Sequence, residues 1–269
     1  MSGLLRVARD GSGGVVARVT LTRPEVRNAF NAELIGELHD AFVALAAEPA
    51  EALRAVVLAG EGPAFSAGAD IAWQRAALQL SLEENRADAA RLQDMLTAID
   101  TCPAPVVARV QGAALGGGMG LCAVADVVLA AADARFGFTE VKLGILPAII
   151  SPFVLARIGE GQSRALFVSG ERFDAERALR IGLVHEVLAD EAALDARVEA
   201  VVTELLSAGP TAVRAVKALI RARRKMPADG FAAHALDVAA RQRVSDEGQE
   251  GLGAFLDKRR PGWVDSLDT

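Results

Sequence analysis

The sequence predicts an α/β fold with a largely parallel sheet, followed by a helical C-terminal region. Three observations predict this class. Apolar, β-branched runs alternate with helical patterns over residues 1–190, as in sheets whose parallel strands are joined by helices. From residue 191 the pattern is helical only, with a break at Gly209-Pro210. Two of the β-branched runs end in turns rich in glycine and alanine, at 64–71 and 114–120.

The elements follow in order along the chain. Val15 to Leu21 alternates and is rich in β-branched residues, which predicts the first strand. Apolar residues at helical spacing within 31–47 predict the first helix. The segment Ser81-Leu82-Glu83-Glu84 has the capping-box pattern and begins a helix that continues to about Asp100. Further strands are expected at the remaining apolar runs: 55–59, 106–110, 126–131, around Phe136 and around Val184.

Composition and charge narrow the classes of function. The chain has 269 residues, 52% hydrophobic and 24% charged, which is typical of a globular protein. A net charge of −6 argues against a general polyanion-binding surface, so we expect no nucleic-acid partner. Because no apolar run approaches the roughly 20 residues of a membrane span, we expect no membrane association. Residues 1–16 carry charges and glycines, so we expect a cytoplasmic protein.

The cysteines and histidines form no pattern for metal binding. Cys102 and Cys122 fit no metal-ligand spacing, and we expect both to be buried and reduced. The three histidines lie far apart in the sequence, outside any HExxH pattern. The sequence therefore predicts no metal site.

The two glycine- and alanine-rich turns are the candidates for chemistry. Ala-Phe-Ser-Ala-Gly-Ala-Asp-Ile at 64–71 and Ala-Leu-Gly-Gly-Gly-Met-Gly at 114–120 each follow a β-branched run and precede a predicted helix. Small residues in such a turn let a backbone N–H approach a ligand. Two such turns side by side can supply two donors to one carbonyl oxygen, as in an oxyanion hole. Taken alone, the glycines more often indicate tight helix–strand packing, and they lack the Lys-Ser/Thr of a phosphate loop.

Further segments complete a pattern that covers nearly the whole chain: Thr22-Arg23-Pro24, Asn28-Ala29, Phe136-Gly137, Glu140, Leu143-Gly144, Pro147 and Phe255-Leu256-Asp257-Lys258-Arg259. With the two turns, this pattern resembles that of the enoyl-CoA hydratase/isomerase (crotonase) superfamily. The resemblance implies a spiral of ββα turns over residues 1–190 that holds the acyl-CoA site. It also implies a C-terminal helical region over 191–269 that completes the CoA site and builds a homotrimer or a dimer of trimers. Coenzyme A would be part of the substrate, so no separate cofactor is expected.

The same resemblance assigns catalytic roles to three residues. The backbone N–H groups of Ala69 and Gly117 would hold the thioester oxygen, and the loss of one such donor typically costs about 10²–10³ in rate. Glu140 would be the general acid/base. The alternative for Glu140 is a structural ion pair with a nearby base such as Arg135 or Lys142.

Binding residues are expected around these positions. The predicted substrate-binding residues are Ala67, Asp70, Ile71, Trp73, Gly116, Gly120, Lys142 and Pro147. Trp73 would line the acyl pocket, and Lys142 is a candidate partner for a carboxylate on the substrate. The predicted CoA-binding residues are Val26, Arg27, Phe255 and Lys258, some of which can act across a subunit boundary.

One departure from the family pattern concerns Gly120, where many hydratases carry a second glutamate. The segments 65–73, 140–154 and 243–252 resemble the bacterial methylglutaconyl-CoA hydratases and their isohexenylglutaconyl relatives, which also place glycine there. The resemblance thus implies a hydratase for a branched, carboxylated enoyl-CoA such as 3-methylglutaconyl-CoA, from leucine or terpenoid breakdown. Glu140 alone would then handle both proton transfers. The alternatives are a Δ3-Δ2 enoyl-CoA isomerase and a catalytically weak acyl-CoA- or RNA-binding scaffold, the latter suggested by the basic run 221–225.

Overall fold

The computed structural model describes residues 3–265. The strands are β1 (Leu5–Asp10), β2 (Val16–Leu21), β3 (Ala55–Gly60), β4 (Val106–Val110), β5 (Ala113–Leu115), β6 (Val127–Ala131), β7 (Arg135–Gly137), β8 (Arg172–Asp174) and β9 (Glu186–Leu188). The α-helices are α1 (Ala32–Ala46), α2 (Ile71–Ala77), α3 (Leu82–Thr101), α4 (Gly117–Val124), α5 (Ser151–Ser169), α6 (Ala175–Arg180), α7 (Glu191–Ser207), α8 (Pro210–Lys225), α9 (Ala228–Val244), α10 (Asp246–Leu256) and α11 (Gly262–Asp265).

The strands form two sheets. The main sheet has the order β1-β2-β3-β4-β6-β9, in which only the β1–β2 pair is antiparallel. The second sheet has the order β5-β7-β8. A single bridge joins Ser66, in the loop after β3, to Ala114 of β5, and another joins Ala69 of the same loop to Phe30, just before α1. The loop after β3 therefore lies between the segment that precedes α1 and the second sheet. It is next to the turn that begins α4.

Both faces of the main sheet are covered, because alternate side chains of a strand point to opposite faces. In β3, Val56 and Leu58 belong to the larger core, which is shared with α1, α3 and α4. Ala55 and Val57 belong to a smaller cluster that includes Leu194 and other apolar residues of α7. Burial on both faces explains why these strands read as continuous apolar runs.

Among the C-terminal helices, α8 is bound to the core of its own chain by hydrogen bonds and an ion pair. Lys217 of α8 donates from Nζ to the Ala104 carbonyl at 3.1 Å and to Asp126 Oδ2 at 2.6 Å. Arg214, one turn earlier, donates to the carbonyls of Glu48, Pro49 and Leu53. These contacts lie on the side of the main sheet where its parallel strands begin. In the described part of the chain, no helix combines the length and apolar character needed to cross a membrane.

Most of the predicted elements are confirmed, including the capping box of Ser81 and Glu84. The strand expected around Val184 begins two residues later, at Glu186. The first strand, β1, was missed. It is an edge strand whose side chains after Leu5 are all exposed, so the sequence lacks the apolar alternation that identifies a half-buried strand. Both cysteines are free and buried, as expected.

Candidate active site

The two predicted turns lie side by side. The Ser66 amide donates to the Ala113 carbonyl, and the Leu115 amide donates to the Ser66 carbonyl, both at 3.0 Å. Between them, Gly68 has a φ of +88° and approaches Leu115 so closely that a β-carbon would lie 2.8 Å from its carbonyl oxygen. The same β-carbon would lie 3.4 Å from the Gly117 nitrogen. Glycine is therefore required at residue 68 by both its backbone conformation and the space around it.

The backbone N–H groups of Ala69 and Gly117 are available to a ligand. The Phe30 amide donates to the Gly68 carbonyl, and the Asp70 amide donates to the Phe30 carbonyl. Since this is the parallel-bridge pattern, the Ala69 N–H points away from Phe30 and toward the other side of the segment. Gly117 is the first residue of α4, so its amide lacks an intrahelical acceptor and lies at the positive end of the helix. Both residues line one cleft.

Glu140 lies beside the turn that begins α4 and lines the same cleft. It begins a short 3-10 helix after β7, and a β-carbon on Gly116 would lie 3.5 Å from its Oε1 atom. Its Oε2 atom is buried and has no hydrogen-bond partner among the described residues. Burial raises the pKa of Glu140 above its ordinary value. Within residues 3–265, the Glu140 carboxyl group forms no ion pair with Arg135 or Lys142, and its Oε2 atom stays without a partner.

The cleft has a volume of about 240 Å³ and opens to solvent, and a mostly apolar lining with a few polar groups is typical of a small-molecule site. It is bounded by the Ala69 turn and α2, by α3, and by the loop that leads to α5. The apolar lining consists of Phe30, Ala69, Trp73, Ala77, Ala89, Leu92, Ile145, Leu146, Pro147, Ile149 and Ile150. The polar side chains in the lining are Gln74, Asn85, Asp88 and Glu140.

The polar end of the cleft is built by hydrogen bonds between α2 and α3. Trp73 Nε1 donates to Asp88 Oδ2 at 3.2 Å, and Arg91 donates to the other Asp88 oxygen. Asn85 donates from Nδ2 to the carbonyls of Leu80 and Ser81 at 3.1 and 3.0 Å. These bonds fix the α2–α3 connection, and with it the Trp73 wall of the cleft.

Five of the predicted site residues line the cleft: Ala69, Trp73, Gly117, Glu140 and Pro147. Gly116 lies beside the Glu140 carboxyl group. Gly120 lies below the cleft floor and packs against Ile150 and Leu96. The structure thus brings together the amide donors, the carboxylate and one predicted aromatic wall.

The other four predicted substrate-binding residues are placed elsewhere. Asp70 is buried in an ion pair with Arg23 and caps α2, so its role is to hold the turn. Ile71 is 81% exposed on the outer face of α2. Lys142 is exposed outside the lining, because residues two apart on a 3-10 helix point in different directions. The Ala67 amide donates a hydrogen bond to the Arg27 carbonyl within the protein, so it is not available to a substrate.

The predicted CoA-binding residues fall into two groups. Val26 and Arg27 lie in the exposed turn before α1, whose backbone is tied to the Ala67 turn. Phe255 is 79% exposed at the end of α10, and Lys258 follows it with a φ of +57°. Neither Phe255 nor Lys258 lines the cleft of its own chain. A contribution from these two residues across a subunit boundary stays a prediction.

Sequence reasoning missed the contribution of α3 to the site. Asn85, Asp88, Ala89 and Leu92 line the cleft, and their spacing is that of one helix face. That spacing was the available signal, but polar residues at these positions made the face look solvent-exposed. Phe30 was also missed. Its ring lies so close to Gly117 that a β-carbon on Gly117 would be 2.7 Å from the ring.

Comparison with known proteins agrees with this geometry. Residues 11–266 match the family Enoyl-CoA hydratase/isomerase. A crotonyl-CoA hydratase from Syntrophomonas wolfei is 34% identical over 251 residues, which cover 93% of this chain and 94% of that protein. AtuE from Pseudomonas aeruginosa superposes with a TM-score of 0.92 at 39% identity, covering 97% of this chain and 99% of that one. An enoyl-CoA hydratase structure from Shewanella pealeana gives 0.90 at 36% identity, covering 97% and 96%.

A mixed α/β spiral with two free turn amides and one buried carboxylate at a common cleft defines a crotonase-type protein. The chain belongs to the enoyl-CoA hydratase/isomerase family. The fold class predicted from the sequence is confirmed.

Proposed function

We propose that this protein is an enoyl-CoA hydratase, a lyase that adds water across the α,β double bond of an acyl-CoA thioester. The observation that carries the proposal is the convergence of the Ala69 amide, the Gly117 amide and the Glu140 carboxyl group on one cleft. The names of the crotonyl-CoA and enoyl-CoA hydratase relatives support the same reaction.

The two amides act on the thioester oxygen. When they donate to this oxygen, electron density leaves the double bond and the β-carbon becomes electrophilic. As a nucleophile adds there, negative charge accumulates on the thioester oxygen, which becomes the oxygen of an enolate. Donors that are already in place stabilise this charge more than they stabilise the substrate, and the barrier falls.

Glu140 moves the protons. The ionised carboxylate takes one proton from water as the water oxygen bonds to the β-carbon. The protonated Glu140 then gives that proton to the α-carbon, and the enolate returns to a thioester. The net change is the addition of one water molecule. Burial strengthens Glu140 as a base, because its charged form lacks solvation in the cleft.

The hydratase must work with one carboxylate at this point of the cleft. Ile150 and Leu96 fill the space beside Gly120, so this position of α4 offers no room for a second acid.

The Δ3-Δ2 isomerase is the second candidate function, because a single carboxylate also suffices to move a proton between two carbons. The RNA-binding alternative gains no support, since Arg221 and Arg224 of the basic run contact Asp100 of α3.

Two classes of acyl group are to be compared. The segments that resemble methylglutaconyl-CoA hydratases favour a branched, carboxylated acyl group such as 3-methylglutaconyl. The described cleft lining holds no lysine, arginine or histidine to receive its terminal carboxylate. We therefore propose an uncharged enoyl-CoA as the first substrate class and 3-methylglutaconyl-CoA as the second.

We also propose that the protein forms a trimer or a dimer of trimers through its C-terminal helices. Large apolar side chains on α9 and α10 are exposed in the single chain: Leu236, Val244, Phe255 and Leu256. Exposed apolar surface of this kind often marks a subunit interface. Light scattering should give a multiple of three chains, and Leu256→Asp should dissociate the assembly.

The reaction is tested with crotonyl-CoA, 3-methylglutaconyl-CoA and a 3-enoyl-CoA in deuterated water, with products followed by mass and absorbance. A hydratase adds the mass of one water, an isomerase moves the double bond, and an inactive scaffold does neither. Glu140→Gln should lower turnover about 10²–10⁴-fold without weakening CoA binding. Glu160→Gln, at an exposed position of α5, is the control. Normal turnover by Glu140→Gln would refute the role assigned to Glu140.

A further inference from the structure

Asp88 is the second acidic side chain in the cleft, and the reaction does not use it. Its side chain is only 14% exposed. One oxygen accepts a hydrogen bond from Trp73 Nε1, and the other accepts from Arg91. Because both oxygens act as acceptors toward these donors, the arrangement is satisfied by the ionised carboxylate without a proton. The Asp88 carboxylate, in an ion pair with Arg91, therefore stands at the α2–α3 end of the cleft.

The amide groups near Asp88 donate to backbone carbonyls. Asn85 Nδ2 bonds to backbone carbonyls, and Gln74 Nε2 donates to the Ala69 carbonyl at 3.3 Å. Arg91 is the nearest cation, but its side chain is 57% exposed and it does not line the cleft. A carboxylate on the acyl group would lose its hydration there, find no cationic side chain in the described lining, and face the Asp88 carboxylate.

We propose that Asp88 is a specificity-determining residue that excludes acyl groups with a terminal carboxylate from this cleft. The proposal rests on the proposed function, because it assumes that the cleft receives the acyl group of an enoyl-CoA. An uncharged acyl chain contacts the apolar lining formed by residues such as Leu92 and Ile149 and loses little by the presence of Asp88. The Trp73 bond keeps the charge in place, so it cannot turn away from an entering substrate.

The test is Asp88→Asn, which keeps the size of the side chain and removes its charge. We expect the ratio of kcat/KM for 3-methylglutaconyl-CoA to kcat/KM for crotonyl-CoA to rise roughly tenfold, whatever common loss follows from the weakened contacts to Trp73 and Arg91. A general loss of structure would lower both values, so the difference between substrates reports the charge. Asp94→Asn, on the same helix but outside the cleft and exposed, should change neither. Asp88→Leu, with thermal unfolding as a check, repeats the test in a second variant.

The opposite result would overturn the proposal. If Asp88→Asn lowers the ratio of the two kcat/KM values or leaves it unchanged, Asp88 does not exclude the carboxylate, and a lower ratio would point to the Asp88–Arg91 pair as its holder. Binding of butyryl-CoA and glutaryl-CoA, measured by calorimetry, separates this outcome from a failure of the proposed function. The wild type should prefer butyryl-CoA, and Asp88→Asn should reduce that preference, even if no enoyl-CoA is turned over. Equal preference in both proteins would also overturn the proposal.

Discussion

Gly120 and Ile150 pack so closely that a β-carbon on Gly120 would lie 2.7 Å from Ile150 Cγ2. The two methyl groups of Leu96 would lie 3.3 and 3.4 Å from the same β-carbon. The floor of the cleft is thus closed by aliphatic side chains at the position where many relatives are expected to carry a second glutamate. Glycine at 120 is a packing requirement of this chain, and the single-carboxylate site follows from it.

Gly120→Glu should therefore destabilise the protein and should not raise hydration of crotonyl-CoA. Overpacking of a core typically costs about 1–3 kcal/mol, and the introduced carboxylate would enter an aliphatic surrounding. Urea unfolding and crotonyl-CoA kinetics measure the two effects. Gly36→Glu on α1, where a β-carbon meets nothing within 4 Å, is the control. The additional substitution Ile150→Ala should recover part of the stability. Wild-type stability with faster hydration in Gly120→Glu would contradict this packing account.

Glu140→Gln should make the protein more stable at neutral pH, although it lowers turnover. Burial raises the pKa of Glu140 in the folded state above the ordinary value of 4.5, so the ionised form opposes folding. Because the folded-state pKa of Glu140 is raised, its contribution to stability is fully present below pH 4.5. This contribution is lost as the pH rises through the folded-state pKa. The gain from Glu140→Gln should thus be largest at pH 7–8 and vanish toward pH 4. Thermal unfolding across this range tests the trend, and a gain that is independent of pH would argue against it.

Asp70→Asn should slow catalysis although Asp70 does not line the cleft. Burial alone would raise the pKa of Asp70, but hydrogen bonds from Arg23 and from the Ala72 amide lower it below its ordinary value. The asparagine NH₂ group would face the Arg23 guanidinium, donor against donor, and the adjacent Ala69 amide would shift. We expect kcat to fall about ten- to a hundredfold with little change in KM. Asp40→Asn, at an exposed position of α1, is the control. Unchanged kcat would show that the pair does not position the amide.

The sequence identified the parts of the fold that are buried on both sides. Strands β3 and β6 are continuous apolar runs, and β2 and β4 are largely apolar and β-branched. Gly68 and Gly118 of the two turns are required by close backbone contact. Glu140 was found because it belongs to the same motif pattern. Strand β1 was not found, because an exposed edge strand leaves no periodic signal.

The side-chain directions at the site could not be read from the sequence. Asp70, Ile71 and Lys142 lie within three residues of the catalytic positions, yet one is buried in an ion pair and two face solvent. Asp88 and Leu92, far from both turns in sequence, reach the cleft because α3 crosses it. Proximity along the chain locates the backbone donors of a site, whereas its walls depend on how distant elements pack.

One partly buried ion pair contributes to the link between helix α8 and the core. Lys217 bonds to Asp126 Oδ2, which also accepts the Val106 amide at 2.7 Å at the start of β4. Lys217→Met would leave the Asp126 charge with one neutral donor in a partly desolvated site. We expect a loss of about 1–3 kcal/mol in the free energy of unfolding, below the value for a fully buried pair because Asp126 is 31% exposed.

Lys225→Met, at the exposed end of α8, should change stability by less than about 0.5 kcal/mol. Lys217→Met with Asp126→Asn should recover part of the loss, since asparagine can still accept from Val106. Urea unfolding at one fixed protein concentration, which keeps any assembly constant, measures all three variants. If Lys217→Met unfolds at the same urea concentration as Lys225→Met, the ion pair does not hold α8 to the sheet.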